Sequence, residues 1–192
     1  VLDSVDITFL VEDRSKRSES VNMYMTGRMG REYVVVTDTL LDRLTPDEVA
    51  AVFAHELGHK ITRPVTIPLN MAIGFCKMLL IFYLVHLLHR RRAIAETSRL
   101  QALMHILLSI QIVSQLVSPF SHAIYRYQER TSDAYSLELT QDPQALRGAL
   151  VKVAAANLEP WEVPGWVYYT NASHPLLRDR VRMADTFAPS SD

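Results

Sequence analysis

The chain has 192 residues, 48% of them hydrophobic, which is enough for one domain with a real core, or one domain plus a membrane hairpin, and too little for more than two domains. Twenty basic residues against twenty-one acidic ones leave a net charge of −1, so no global basic field points to nucleic acid and no nucleic-acid partner is expected. The single cysteine, Cys76, excludes an internal disulfide and a cysteine-built zinc site; any metal must be held by His and carboxylate side chains, and the composition fits a cytosol-facing site.

The chain opens at Val1 without a methionine or a basic-then-apolar signal pattern, and so reads as the inside of a longer polypeptide. Three β-branched or aromatic runs follow, Ile7 to Val11, Val21 to Thr26 and Glu32 to Thr37, and predict a small sheet. Gly27, Arg28, Met29 and Gly30 form a short glycine-bounded connection between the last two, so an antiparallel hairpin is expected there.

A helix start is then written out in full. Thr45 stands at the N-cap, Pro46 at the first helical position and Asp47 in the first turn, and Glu48 completes a capping box with Thr45. This helix is expected to run to about Arg63, before Pro64. Two long apolar stretches come next: residues 65–88, charged only at Lys77, and residues 100–125, without Asp, Glu, Lys or Arg. Each could span about 30 Å of hydrocarbon as a helix. Between them lies a basic and polar segment, His89 to Arg99 with Arg90, Arg91 and Arg92, which reads as the turn of an antiparallel helical hairpin. Asp142 and Pro143 announce a further helix through Leu146, Leu150 and Val153, packed on the core by its apolar spacing. A Pro- and aromatic-rich stretch, Glu159 to Tyr169, separates it from a last short helix opening at Pro175.

Residues 55–59 read His55, Glu56, Leu57, Gly58, His59. On a helix, positions four apart stand on one face about a turn apart, so the two imidazoles can grip one metal. The glutamate beside them can take a proton from a metal-activated water without binding the metal, which is the arrangement for metal-assisted amide hydrolysis. A catalytic zinc needs a third protein ligand and an open position. His86, His105, His122, His174 and several carboxylates compete for that place. Glu129 is favoured by its surroundings, because Gln111, Gln115, Ser118, His122, Arg126, Glu129 and Asp133 recur at spacings of three or four. They form one polar stripe along an otherwise apolar helix, facing water or a polar cavity, with Glu129 near its lower end.

With these motifs the chain resembles the integral-membrane zinc peptidases that include the type I CAAX prenyl endopeptidase and the HtpX-like proteases. Those proteins have a histidine pair with an inserted glutamate, two membrane helices, and then a Glu-x-x-x-Asp motif that gives the third ligand, matched here by Glu129 and Asp133. The run Ser15, Lys16, Arg17, Ser18, followed by Asn22, is similar to the prenyl-endopeptidase branch, and His174, Pro175 and Arg180 match its later His-Pro pair and Arg. The resemblance implies an α+β, mainly α fold: a gluzincin-like metallopeptidase domain over residues 1–192, with a small N-terminal antiparallel sheet and an inserted apolar hairpin.

It further implies one Zn2+ per chain on His55, His59 and Glu129, with Glu56 as base and Asp133 orienting a zinc-bound histidine. His174 and Arg180 are placed as polar groups near the reacting carbonyl or the metal ligands. Asn22, Met23 and Tyr24 look like the edge strand that holds an extended substrate, with Met23 where the family more often has a small residue. The implied partners are a peptide or protein substrate, prenylated or membrane-embedded, and a membrane, with the active site facing the cytoplasm. The basic residues at the two ends of the apolar segments roughly balance, so they leave the orientation undecided. The competing reading is a membrane-anchored binding or sensor module with a structural zinc site, which calls for four protein ligands and no open position.

Overall fold

The structure is a computed structural model and describes residues 7–28, 31–90 and 98–189. Its elements are β1 (Ile7–Glu12), β2 (Met23–Arg28), β3 (Arg31–Thr37), α1 (Asp38–Arg43), α2 (Pro46–Arg90), α3 (Arg99–Thr140), α4 (Pro143–Ala156), α5 (Gly165–Asn171) and α6 (Leu177–Thr186). They group into two compact units. One takes the chain as far as Arg63, Tyr127–Val163 and the chain from Pro175; the other takes Pro64–Arg126 and Pro164–His174.

In the first unit the strands lie in the order β1-β3-β2. β2 and β3 pair antiparallel, with Met23 opposite Val36 and Met25 opposite Val34, as the glycine-bounded connection predicts; residues 29 and 30 of that connection lie outside the described residues. Alternation explains the register, since Val21, Met23 and Met25 are buried while Asn22, Tyr24 and Thr26 are exposed. One expectation is corrected. β1 runs parallel to β3, from Ile7 opposite Glu32 to Glu12 opposite Thr37, so the sheet is mixed rather than wholly antiparallel. The polar segment after β1 turns back, and the Asp38 carboxylate holds it by accepting from the Arg14 and Ser15 backbone N–H groups at 2.9 and 3.0 Å.

The helices of this unit follow their local signals. At the start of α2 the Glu48 carboxylate accepts from Thr45 N at 2.7 Å and Thr45 Oγ1 from Glu48 N at 3.3 Å, the reciprocal capping box. Asp142 caps α4 by accepting from Ala145 N at 2.9 Å. Val21, Met23, Val34, Val36, Leu40 and Leu57 form one buried cluster between the sheet and the helices, and Ala51, Leu137, Leu146, Leu150 and Ala184 form a second. α2 and α3 touch very closely: a Cβ on Gly58 would lie 2.6 Å from Ser132 Cα, and Ser136 Oγ donates to the Ala51 carbonyl at 2.7 Å. A larger residue at position 58 would hold the two backbones apart.

Three helix expectations differ from what is found. α2 does not stop before Pro64 but continues through Pro64 and Pro68. Each proline forfeits one helical hydrogen bond, yet an apolar run without water satisfies the rest of its backbone only by staying helical. α5 lies where a proline- and aromatic-rich separator was expected, and α6 begins at Leu177, not Pro175. In the second unit α5 is held by side chains of α3. Arg126 Nη1 donates to the Tyr168 and Ala172 carbonyls at 3.1 and 2.7 Å, and His122 Nδ1 to the Thr170 carbonyl at 2.8 Å.

α2 as far as Leu87, and α3, are long and apolar enough to cross a membrane, and 6% and 11% of their most apolar windows are buried among the described residues. Most of the expected basic turn falls outside the described residues, including Arg91 and Arg92 and the side chain of Arg90.

Candidate metal centre

The site stands in the first unit, on the polar ends of α2 and α3 and beyond the apolar segments 65–88 and 100–125. The close approach at Gly58 faces one helical turn of α2, carrying His55 and His59, toward one turn of α3, carrying Glu129 and Asp133. The result is a cluster of His55, His59 and Glu129 whose ligand-type atoms all lie within 4.8 Å of one another. His55 Nε2 is 3.6 Å from Glu129 Oε2, and His59 Nε2 is 3.4 Å from Glu129 Oε1. The rings meet edge to face, with centroids 4.6 Å apart.

Two imidazole nitrogens and one carboxylate, all turned inward, are a donor set that suits zinc with a position left open. The protonation states agree. Burial, with His55, Arg180 and Arg63 adding to the fall and Asp133 opposing it, pushes His59 down to about 3, so its ring is neutral and able to donate a lone pair at neutral pH.

Behind this cluster lies a second layer of fixed charge. His55 Nδ1, buried from solvent, is 2.8 Å from Asp133 Oδ1, which leaves Nε2 facing the cluster. Asp133 is fully buried. It accepts from Arg180 Nε at 2.7 Å and Nη2 at 2.6 Å, a bidentate pair. Burial alone would raise the Asp133 carboxyl, but the guanidinium and the hydrogen bonds outweigh it and hold it at about 2. Arg180 Nη2 also stands 3.6 Å from Glu129 Oε2. Arg180 therefore lies beside the His55, His59 and Glu129 cluster, in contact with Asp133 and Glu129.

Glu56 lies outside the ligand group, its carboxylate accepting from the Met25 backbone N–H of β2. Its carboxyl is pushed up to about 7, chiefly by burial and with Glu129 adding to the rise, against the lowering pull of His55, Arg63 and a hydrogen bond from the Met25 backbone N–H. Arg63, which nothing in the sequence singled out, donates from Nη2 to the Met25 carbonyl at 3.1 Å. Both outward main-chain groups of Met25, on the edge strand, are thus engaged by α2. Of the expected substrate residues, Asn22 and Tyr24 are exposed, whereas the Met23 side chain is buried in the core, so Met23 can meet a ligand through its main chain. His174 belongs to the second unit, where its Nδ1 is 3.0 Å from Ser173 Oγ. Gly58 and Ser132, which set the helix spacing, escape a sequence reading because their contact is 74 positions apart along the chain.

Comparison with known proteins places this geometry in context. A profile of Peptidase family M48 matches residues 8–188. The uncharacterized metalloprotease YhfN of Bacillus subtilis is 31% identical over 89% of this chain and 42% of its own length. The CAAX prenyl protease 1 homolog of Oryza sativa is 29% identical over 89% of this chain and 41% of its own. The crystal structure of Ste24p from S. mikatae superposes with a TM-score of 0.74 at 27% identity, covering 92% of this chain and 46% of that one. The chain spans less than half the length of these relatives.

Proposed function

The chain belongs to peptidase family M48, and from that premise we propose that it carries the catalytic centre of a zinc-dependent endopeptidase, with His55, His59 and Glu129 as ligands and Glu56 as general base. The observation behind this reading is the gathering of three donor groups within 4.8 Å, with a further carboxylate one residue from His55 held outside the set by the Met25 N–H. Zinc so held supplies Lewis acidity, lowering the pKa of a water and polarising a carbonyl.

The chain's own groups do the rest. Glu56 takes the proton of the attacking water and passes it to the leaving amine, and a carboxyl held near neutrality by burial serves both steps. Asp133 fixes the tautomer and orientation of His55, and Arg180 keeps Asp133 ionised and offsets the charge on Glu129. An extended peptide adds along the exposed edge of β2, at Asn22, Met23 and Tyr24. His174 is assigned to the oxyanion formed as the carbonyl is attacked.

The substrates of this reading are membrane-associated or C-terminal peptides, with prenylated ones included on the strength of relatives named CAAX prenyl proteases. The protein is an integral membrane peptidase in this reading, its active site on the cytoplasmic side. Incubating the purified chain with a peptide library that includes isoprenylated members, and identifying products by mass spectrometry, tests it. Cleavage that stops with a chelator and returns with zinc is the expected result; cleavage indifferent to chelation would refute the metal-dependent reading.

A further inference from the structure

α5 supplies none of the grouped donor atoms, yet the buried Arg126 of the second unit is committed to holding this two-turn helix. Arg126 donates to the Tyr168 and Ala172 carbonyls, His122 to that of Thr170, and Ser118 Oγ to the same Thr170 carbonyl at 3.4 Å. The Arg126 guanidinium also lies over the Tyr168 ring, 4.7 Å from its centroid. Cationic and hydrogen-bonding side chains on the last carbonyls of a helix satisfy groups that the helix itself cannot, and oppose its dipole. The position of α5 along α3 is therefore fixed at residues 118–126.

That position is a boundary. Residues 100–125 carry no Asp, Glu, Lys or Arg, and Arg126 is the first formal charge after them. Just before the clamp and within it α3 exposes large apolar side chains, Leu116 and Phe120. On α5 the face opposite Tyr168 carries Trp166 and Tyr169, three positions apart, 71% and 65% exposed. Indole and phenol are apolar rings with one polar tip, and they favour the level where hydrocarbon gives way to headgroups. Two such rings, held on a short helix where an uncharged span ends, match a lipid interface.

We infer that α5 is an interfacial anchor: with α3 across a bilayer, Trp166 and Tyr169 sit among the lipid headgroups and the Arg126 clamp sets their depth. Charge on α5 fits this occupant, since Gly165–Asn171 contains no ionisable group other than its two tyrosines. The anchor is independent of the peptidase chemistry.

The test uses the full chain reconstituted in phosphatidylcholine vesicles. The protein has two tryptophans, so Trp161→Phe leaves Trp166 as the sole reporter. Its fluorescence is then measured with lipids brominated either near the glycerol or near the acyl-chain end. Shallow bromines should quench Trp166 several-fold more than deep ones, and Trp161→Phe/Arg126→Gln should lose that preference. The same profile is read as the difference between wild type and Trp166→Phe, so the result does not depend on one variant. Absence of quenching by either lipid, stronger quenching by the deep bromines, or a depth preference unchanged by Arg126→Gln would overturn the inference.

Discussion

Asp133 gives both oxygens to the Arg180 guanidinium and shares Oδ1 with the His55 ring, so removing its charge disturbs both partners. Asparagine would keep the shape but leave Arg180, largely buried, with Glu129 at 3.6 Å as its remaining carboxylate partner. It would also take from His55 the anion that orients its ring. Asp133→Asn should therefore weaken zinc binding about 10–100-fold and destabilise the fold by about 3 kcal/mol. Competition with a chromophoric chelator and urea titration measure the two effects, and unchanged metal affinity would show that Asp133 does not position the ligand. At this scale the sequence was informative where geometry is local. The histidine pair, Glu56 and the capping residues Thr45 and Glu48 all follow from a helical repeat. Arg180 was placed near the site by resemblance alone, because its bond to Asp133 joins residues 47 apart and no period in the sequence connects them.

Among the elements, the crossing of α2 and α3 decides whether the ligands meet. Gly58 sits at a close approach of the two backbones, where a Cβ would lie 2.6 Å from Ser132 Cα, so Gly58→Ala should push the backbones apart. The expected cost is about 1–3 kcal/mol, as for overpacking elsewhere, with a larger fall in zinc affinity than a change remote from the ligands would cause. Thermal unfolding with and without zinc separates the two, and wild-type affinity in Gly58→Ala would mean the crossing tolerates a methyl group.

A different backbone constraint closes α4. Leu158 adopts φ 56° and is 89% exposed, in the left-handed position after the helix where Glu159 N reaches the Ala154 carbonyl at 2.9 Å. A leucine there pays the left-handed strain and buries almost nothing in return. Leu158→Gly should raise stability by about 1 kcal/mol, seen as a higher denaturation midpoint, and a lower midpoint would indicate a packing role for Leu158. Elements were legible where their ends were signalled by side chains, as at Thr45 and Asp142. Pro64 misled because a local breaker gave way to the needs of a long apolar helix, and α5 was hidden because what holds it comes from Ser118, His122 and Arg126 on another helix. The direction of β1 depends on which strand it pairs with, and its own residues do not encode that.

For the whole molecule, the mainly helical class, the small sheet and the two apolar helices were all readable, since β-branched runs, capping residues and long uncharged stretches mark them locally. The apolar stretches read as a hairpin inserted in one domain; that α2 and α3 each run unbroken through both units, and that Pro164–His174 joins the apolar one, was not legible. The exposed apolar surface of those helices, and relatives more than twice as long, support a membrane location for this catalytic portion. The central claim is that one metal is held by three named side chains while a fourth, beside them, moves the proton. Metal content and turnover of Glu56→Gln, measured on the same preparation, test it most directly. The account predicts about one zinc per chain, as in wild type, with turnover lowered by roughly 100-fold or more. Near-normal turnover in Glu56→Gln, or loss of the metal with it, would contradict the separation of roles between Glu56 and the ligands His55, His59 and Glu129.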